Sequence, residues 1–230
     1  MLKKYSTFIS QSNEFGMINF PNAKINIGLH VTEKRKDGFH NIETVFFPIK
    51  LTDILEIQEY KRKEPHLSFS GLKIDAPPEQ NLLYKAWSKI KSYYDIPGTR
   101  IHLHKIIPFG SGLGGGSSDA AHALQMLNQQ FSLSIPKEKM HQFAEELGSD
   151  CPFFLENKPC FAYEKGNKIE PVSFNLKGLH LIIVVPEIKV STKLAYQDVA
   201  IQKREVSNAF NDPNRGMEKS HSQRFRINSI

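Results

Sequence analysis

Five glycines fall within seven positions (Gly110, Gly112, Gly114, Gly115, Gly116) and run directly into Ser117 and Ser118. Residues without a Cβ adopt positive φ cheaply and let backbone N–H groups approach a ligand closely. At a helix N-terminus those donors, together with the macrodipole, favour an anion, above all a phosphate. A helix is predicted here because Ala120, Ala121, Leu124, Leu127 and Phe131 form an apolar stripe at three- and four-residue spacing. Upstream, Ile101 and Leu103 alternate with polar neighbours, as in a half-buried strand. The order strand, glycine-rich loop, helix argues against a mere linker, whose flanks would lack such patterning.

Two further stretches carry chemically capable side chains. In Phe20–Val31, polar Lys24, Asn26 and Gly28 alternate with apolar Ile25, Ile27 and Leu29, which predicts a strand with one face in a core. The other face is expected to line a cleft, although in an isolated strand it would be solvated. A basic turn follows, Lys34 to Asn41, in which Asp37-Gly38 is the hairpin signal, and Thr44–Ile49 and Asp53–Ile57 read as the next strands. Beyond the glycine loop and its helix, residues 135–147 are expected to form a second helix with Met140, Phe143, Ala144 and Leu147 on one face and Gly148 as its stop. Pro152 is expected to prevent immediate resumption, holding Asp150 in a tight turn. Taken alone, such an aspartate reads as a cap or turn former.

Three phosphate cradles compete for the glycine loop. A P-loop requires Lys-Ser/Thr after its last glycine, whereas Gly116 is followed by Ser117. Gly110-x-Gly112-x-x-Gly115 meets the dinucleotide fingerprint, but a second helix follows where that motif needs a strand ending in an acidic residue. The third is the long loop of the small-molecule kinases named for galactose, homoserine, mevalonate and phosphomevalonate, the GHMP kinases. Their pattern, Pro-x-Gly-x-Gly-Leu-Gly/Ser-Ser-Ser-x-Ala, resembles Pro108 to Ala121 almost residue for residue. Pro-Asn-Ala-Lys-Ile-Asn-Ile-Gly-Leu at 21–29, Asp-Gly-Phe-His-Asn at 37–41 and Leu-Gly-Ser-Asp-Cys-Pro-Phe-Phe at 147–154 occur in order with it. Over about residues 17–200 the chain thereby resembles the 4-diphosphocytidyl-2-C-methyl-D-erythritol kinases of the non-mevalonate isoprenoid pathway.

That resemblance implies an α+β fold of the GHMP kinase type. Its N-terminal α/β domain would be like ribosomal protein S5 domain 2, and its C-terminal domain ferredoxin-like and here incomplete. It implies transfer of the γ-phosphate of ATP to the 2-hydroxyl of the erythritol moiety, with Asp150 and Lys24 as the catalytic pair. Pro108, Gly110, Ser111, Gly112, Leu113, Gly114, Gly115, Gly116, Ser117 and Ser118 would wrap the triphosphate, with Asn81 near adenine. Ser117 is also the candidate contact for Mg²⁺, a cation that keeps few protein ligands. At the cytidine end the resemblance points to Asn26 and His40 for polar contacts, to Phe39 and Tyr196 as a sandwich around the base, and to Thr192. Another GHMP kinase and a nucleotide-binding remnant without activity are the competing readings.

A chain of 230 residues is long enough for a large core. No apolar stretch approaches a membrane span, and the longest, Leu179–Pro186, reads as a buried strand. The net charge of +6 is dispersed, without a nucleic-acid-binding motif, and suits a basic cleft for a small anionic substrate. Cys151 and Cys160 sit in no metal-ligand spacing and read as core residues in a reducing cytoplasm. The expected organisation is an extension at 1–16, an ATP-binding domain at 17–155, the start of a second domain at 156–200 and a divergent tail at 201–230. The tail is expected to be disordered and to be a truncated or frame-altered end, because the family's third glycine-rich motif is missing from it. The extension is expected to be an upstream read-through or a mobile arm, with Met1 and Met17 both open as the start. The residues leave the oligomeric state open.

Overall fold

The structure is a computed structural model that describes residues 16–75, 77–173 and 175–186. Its elements in chain order are β1 (Met17–Asn19), β2 (Asn22–Lys34), β3 (His40–Thr52), β4 (Ile54–Glu59), β5 (His66–Gly71), α1 (Leu82–Lys91) and β6 (Thr99–Lys105). There follow α2 (Gly115–Gln130), α3 (Lys137–Leu147), α4 (Cys151–Glu156), β7 (Cys160–Tyr163) and β8 (Lys168–Pro171). The described residues fall into two compact units that interleave along the chain. One comprises the stretch up to Ala23, Lys50–Phe109 and Gly114–Glu156; the other comprises Lys24–Ile49, Gly110–Leu113 and the stretch from Asn157.

The first unit is a sheet ordered β1-β4-β6-β5 with α2 packed against β4, α1, α3 and α4. β4 runs antiparallel to β6, whereas β5 and β6 are parallel and are joined through α1, the crossover that parallel neighbours require. Period-two alternation sends Ile101, Leu103 and Lys105 of β6 inward, all at most 2% exposed. Leu55 and Ile57 of β4 and Ala120, Ala121, Leu124 and Leu127 of α2 meet them in the core. Asn81 starts α1 by accepting the Leu83 N–H at 2.9 Å, and Trp87 ties that helix down by donating its indole N–H to Thr99 Oγ1 at 3.1 Å.

The second unit is a sheet ordered β2-β3-β7-β8, its β2–β3 hairpin turning at Asp37-Gly38 as the sequence predicts, with Gly38 at φ 83°. Ile25, Val31, Ile42, Val45, Phe46, Cys160 and Ala162 are its buried apolar residues, with Leu113 of the glycine loop.

Two expectations are corrected. Pro152 does not delay the helix: α4 begins at Cys151 and carries Pro152 in its first turn. A proline there loses no intrahelical bond, because first-turn N–H groups have no partner in any helix. Leu179–Pro186 forms no strand, and Ile182 and Val184 are 86% and 75% exposed. A strand needs a neighbour to pair its backbone, and among the described residues no strand pairs with this run. Among the described residues no helix is long and apolar enough to cross a membrane. The extension up to residue 15 and the tail at 201–230 lie outside the described residues.

Candidate functional site

The glycine loop has the backbone that its composition predicts. Gly110, Gly112 and Gly114 lie at φ 66°, 71° and 72°, the left-handed region where a side chain is strained. Gly114 is the N-cap of α2, and its carbonyl accepts the Ser118 N–H at 2.9 Å. Gly115, the first helical residue, is needed for space: a Cβ there would lie 2.8 Å from Ile107 Cγ2 and 2.9 Å from Lys105 Nζ. The N–H groups that precede the first intrahelical bonds of α2 thus follow directly on the glycine turn, a ready anion site.

Within the same unit, the turn carrying Asp150 packs against the start of α2. A Cβ on Gly148 would lie 3.8 Å from Ser117 Oγ, and the Ser117 hydroxyl hydrogen-bonds the Cys151 sulfur. Burial pushes the Cys151 thiol up to about 12, the Ser117 hydrogen bond opposes this, and the Asp150 charge adds to it. Ser117 and Asp150 are therefore neighbours of one buried thiol. Asn81 also belongs here, since Leu82 at the start of α1 lies 3.8 Å from where a Cβ of Gly116 would be. The side-chain oxygen of Asn81 accepts the cap hydrogen bond of α1 and keeps a second lone pair, while its amide N–H₂ carries two donors.

In the second unit, Lys24 donates its backbone N–H to Leu113 O at 2.9 Å, which joins β2 to the glycine loop. Its side chain is not solvated: it is 3% exposed, donates to Asn26 Oδ1 at 2.6 Å and lies 4.2 Å from the Phe46 ring centroid. Burial of an ammonium is costly unless partners hold it, and the asparagine carbonyl and aromatic face are suited to that. Phe39, at the hairpin tip, is 59% exposed with Lys165 Nζ 5.2 Å from its ring centroid, and His40 opens β3. Thr192 and Tyr196 lie outside the described residues.

Sequence reasoning missed a buried ion cluster in the first unit. Lys105 Nζ donates to Asp53 Oδ2 at 2.5 Å and to Asp119 Oδ2 at 2.7 Å, with all three side chains at most 4% exposed. Asp53 Oδ1 also accepts the N–H groups of Ile106 and Ile107 at 2.6 and 2.8 Å. Asp119 Oδ1 is buried without a hydrogen bond. Burial raises the Asp119 carboxyl to about 7, Lys105 opposing and the Asp53 charge adding to the rise. The legible signal was that alternation puts Lys105 on the inward face with Ile101 and Leu103. An open groove lined by Arg62, Tyr84, Trp87 and Lys91 lies at the opposite end of β5 and β6 and holds none of the predicted site residues.

No group of three or more His, Cys, Asp or Glu able to hold a metal exists among the described residues.

Known proteins agree with this architecture. Residues 81–158 match the family described as the GHMP kinases N terminal domain. The 4-diphosphocytidyl-2-C-methyl-D-erythritol kinase of Bacteroides fragilis is 50% identical over 186 residues, 80% of this chain and 68% of the relative. That of Parabacteroides distasonis is 48% identical over 191 residues, 83% of this chain and 70% of the relative. A crystal structure of 4-(cytidine 5'-diphospho)-2C-methyl-D-erythritol kinase superposes with a TM-score of 0.58 at 33% identity, covering 72% of this chain and 61% of that one. The mevalonate kinase of Methanococcus jannaschii, 15% identical with a TM-score of 0.52 and covering 70% of this chain and 56% of that one, shares the fold. With a glycine turn opening α2, an aspartate turn packed on its first residues and this degree of identity, the chain belongs to the 4-diphosphocytidyl-2-C-methyl-D-erythritol kinase family of GHMP kinases.

Proposed function

We propose that the chain transfers the γ-phosphate of ATP to the 2-hydroxyl of 4-diphosphocytidyl-2-C-methyl-D-erythritol, with Asp150 and Lys24 as the catalytic pair. Family membership supports the reaction, and the packing of the 148–151 turn on Ser117 supports the assignment of Asp150. That packing is the observation that carries the reading, because the turn that bears Asp150 lies against the first turn of the helix suited to hold polyphosphate.

Phosphoryl transfer demands positioning and charge stabilisation more than covalent help. The loop 110–118 and the start of α2 offer backbone N–H donors to the triphosphate. The substrate oxygen forms its bond to the γ-phosphorus while the bond to the ADP oxygen breaks, and Asp150 takes the hydroxyl proton. Lys24 offsets the charge on the transferring group, its ammonium aimed by Asn26 and Phe46. The Ser117 hydroxyl would help hold a Mg²⁺ brought by the nucleotide, which would supply further charge neutralisation. Phe39, His40 and Asn26, with Thr192 and Tyr196, serve the cytidine end, the aromatic rings by stacking. The reaction suits a protein of the cytoplasm that acts on small molecules alone.

The test is transfer of labelled γ-phosphate from ATP to the cytidyl substrate. Asp150→Asn and Lys24→Met are each expected to reduce turnover by on the order of 100-fold or more with folding retained. Near-normal turnover in either variant would refute that residue's role. Nucleotide binding without transfer by the unaltered chain would refute the activity, and equal transfer to mevalonate would refute the substrate.

A further inference from the structure

We propose that Lys105 is the positioning residue of the nucleotide loop, a buckle that fastens both ends of the loop to one buried point. The inference rests on the reading of 110–118 as the phosphate cradle. On the side leading into the loop, Asp53 accepts the backbone N–H groups of Ile106 and Ile107, the two residues before Pro108. On the far side, Asp119 lies in the second turn of α2. The Lys105 ammonium bridges the two carboxylates at 2.5 and 2.7 Å. It also sits 5.3 Å from the ring centroid of Phe109 and beneath Gly115, where even a methyl group would meet it at 2.9 Å.

A loop with three glycines at positive φ has little stiffness of its own. Its backbone donors bind polyphosphate well only if their directions are set before the ligand arrives. Cross-linking residues 106–107 to 119 through one ammonium sets them at both ends of the loop. Because all three groups are at most 4% exposed, water cannot substitute for any partner that is removed. Lys105 itself touches no substrate in this account; it acts through the loop.

The test uses the whole chain and Mg·ADP as the probe, with binding followed by calorimetry and amide hydrogen exchange at 110–119. Lys105→Met and Asp119→Ala are expected to weaken Mg·ADP binding by about tenfold or more, in the range of misplaced hydrogen bonds to a charged ligand. Asp119→Asn, whose amide oxygen still accepts from Lys105, should stay within about threefold of the unaltered chain by the same measure. Leu127→Ala, a core change further along α2, supplies a variant of lowered stability with binding intact. Faster exchange of the loop amides in Lys105→Met but not in Leu127→Ala supports the positioning role. Unchanged affinity and unchanged exchange in Lys105→Met would overturn it. If the unaltered chain fails to bind Mg·ADP, the cradle reading falls, whereas the exchange comparison still decides whether Lys105 orders the loop.

Discussion

Gly115→Ala isolates the steric logic of the glycine loop. Gly115 is helical with an ordinary φ, so backbone strain plays no part, and helix propensity alone would favour alanine by up to about 1 kcal/mol. Space decides otherwise. The added Cβ would lie 2.8 Å from Ile107 Cγ2 and 2.9 Å from Lys105 Nζ, against about 3.5–4.0 Å for a relaxed carbon contact. Ile107 is fully buried, and Lys105 is held by two carboxylates, so neither neighbour retreats freely. Overpacking of this kind costs about 1–3 kcal/mol, which leaves a net loss of up to about 2 kcal/mol after the full propensity gain. Urea unfolding should show a lower midpoint with an unchanged slope, and calorimetry should show weaker Mg·ADP binding as α2 is pushed off Ile107. A variant as stable as the unaltered chain, or more so, with equal affinity would refute the assigned packing.

Asp119 makes stability depend on pH. Its carboxyl is raised from 3.8 to about 7 in the folded state, so between those values the folded chain keeps a proton that the unfolded chain has lost. Stability should therefore fall as pH rises from about 4 to 7, by up to about 4 kcal/mol, and Asp119→Asn should flatten that slope in urea titrations. Gly71→Ala should destabilise by about 2 kcal/mol or more, because a Cβ there would lie 2.3 Å from Lys105 O at φ +78°; a midpoint equal to that of the unaltered chain would contradict the tight approach of β5 to β6. Cys151, its thiol pushed up to about 12, should resist disulfide reagents at pH 8 until the chain unfolds, and rapid labelling of the folded protein at that position would argue against its burial.

Several local features were legible before any coordinates. The stripe Ala120, Ala121, Leu124 and Leu127 became the buried face of α2, and Ile101 and Leu103 became the inward residues of β6. These signals succeed because each reports a period that one element imposes on its own side chains. Leu179–Pro186 failed for the complementary reason: apolar composition states what a strand would bury but not whether a neighbour exists to pair with it. Pro152 failed because proline breaks a helix interior yet is harmless in a first turn, and only the position of α4 distinguishes the two.

Composition and spacing along the chain were enough to determine a glycine-rich turn leading into a helix, since missing side chains and helical periodicity are properties of contiguous residues. The burial of Lys24 against Asn26 and Phe46, the seating of Asp150's turn on Ser117 and the joining of Asp53, Lys105 and Asp119 were decided by tertiary structure alone. Asp53 and Lys105 are 52 residues apart in sequence, and no local period links them. An ammonium on the inward face of a strand is tolerable only where folding delivers carboxylates to it, so its partners follow from packing rather than from order along the chain.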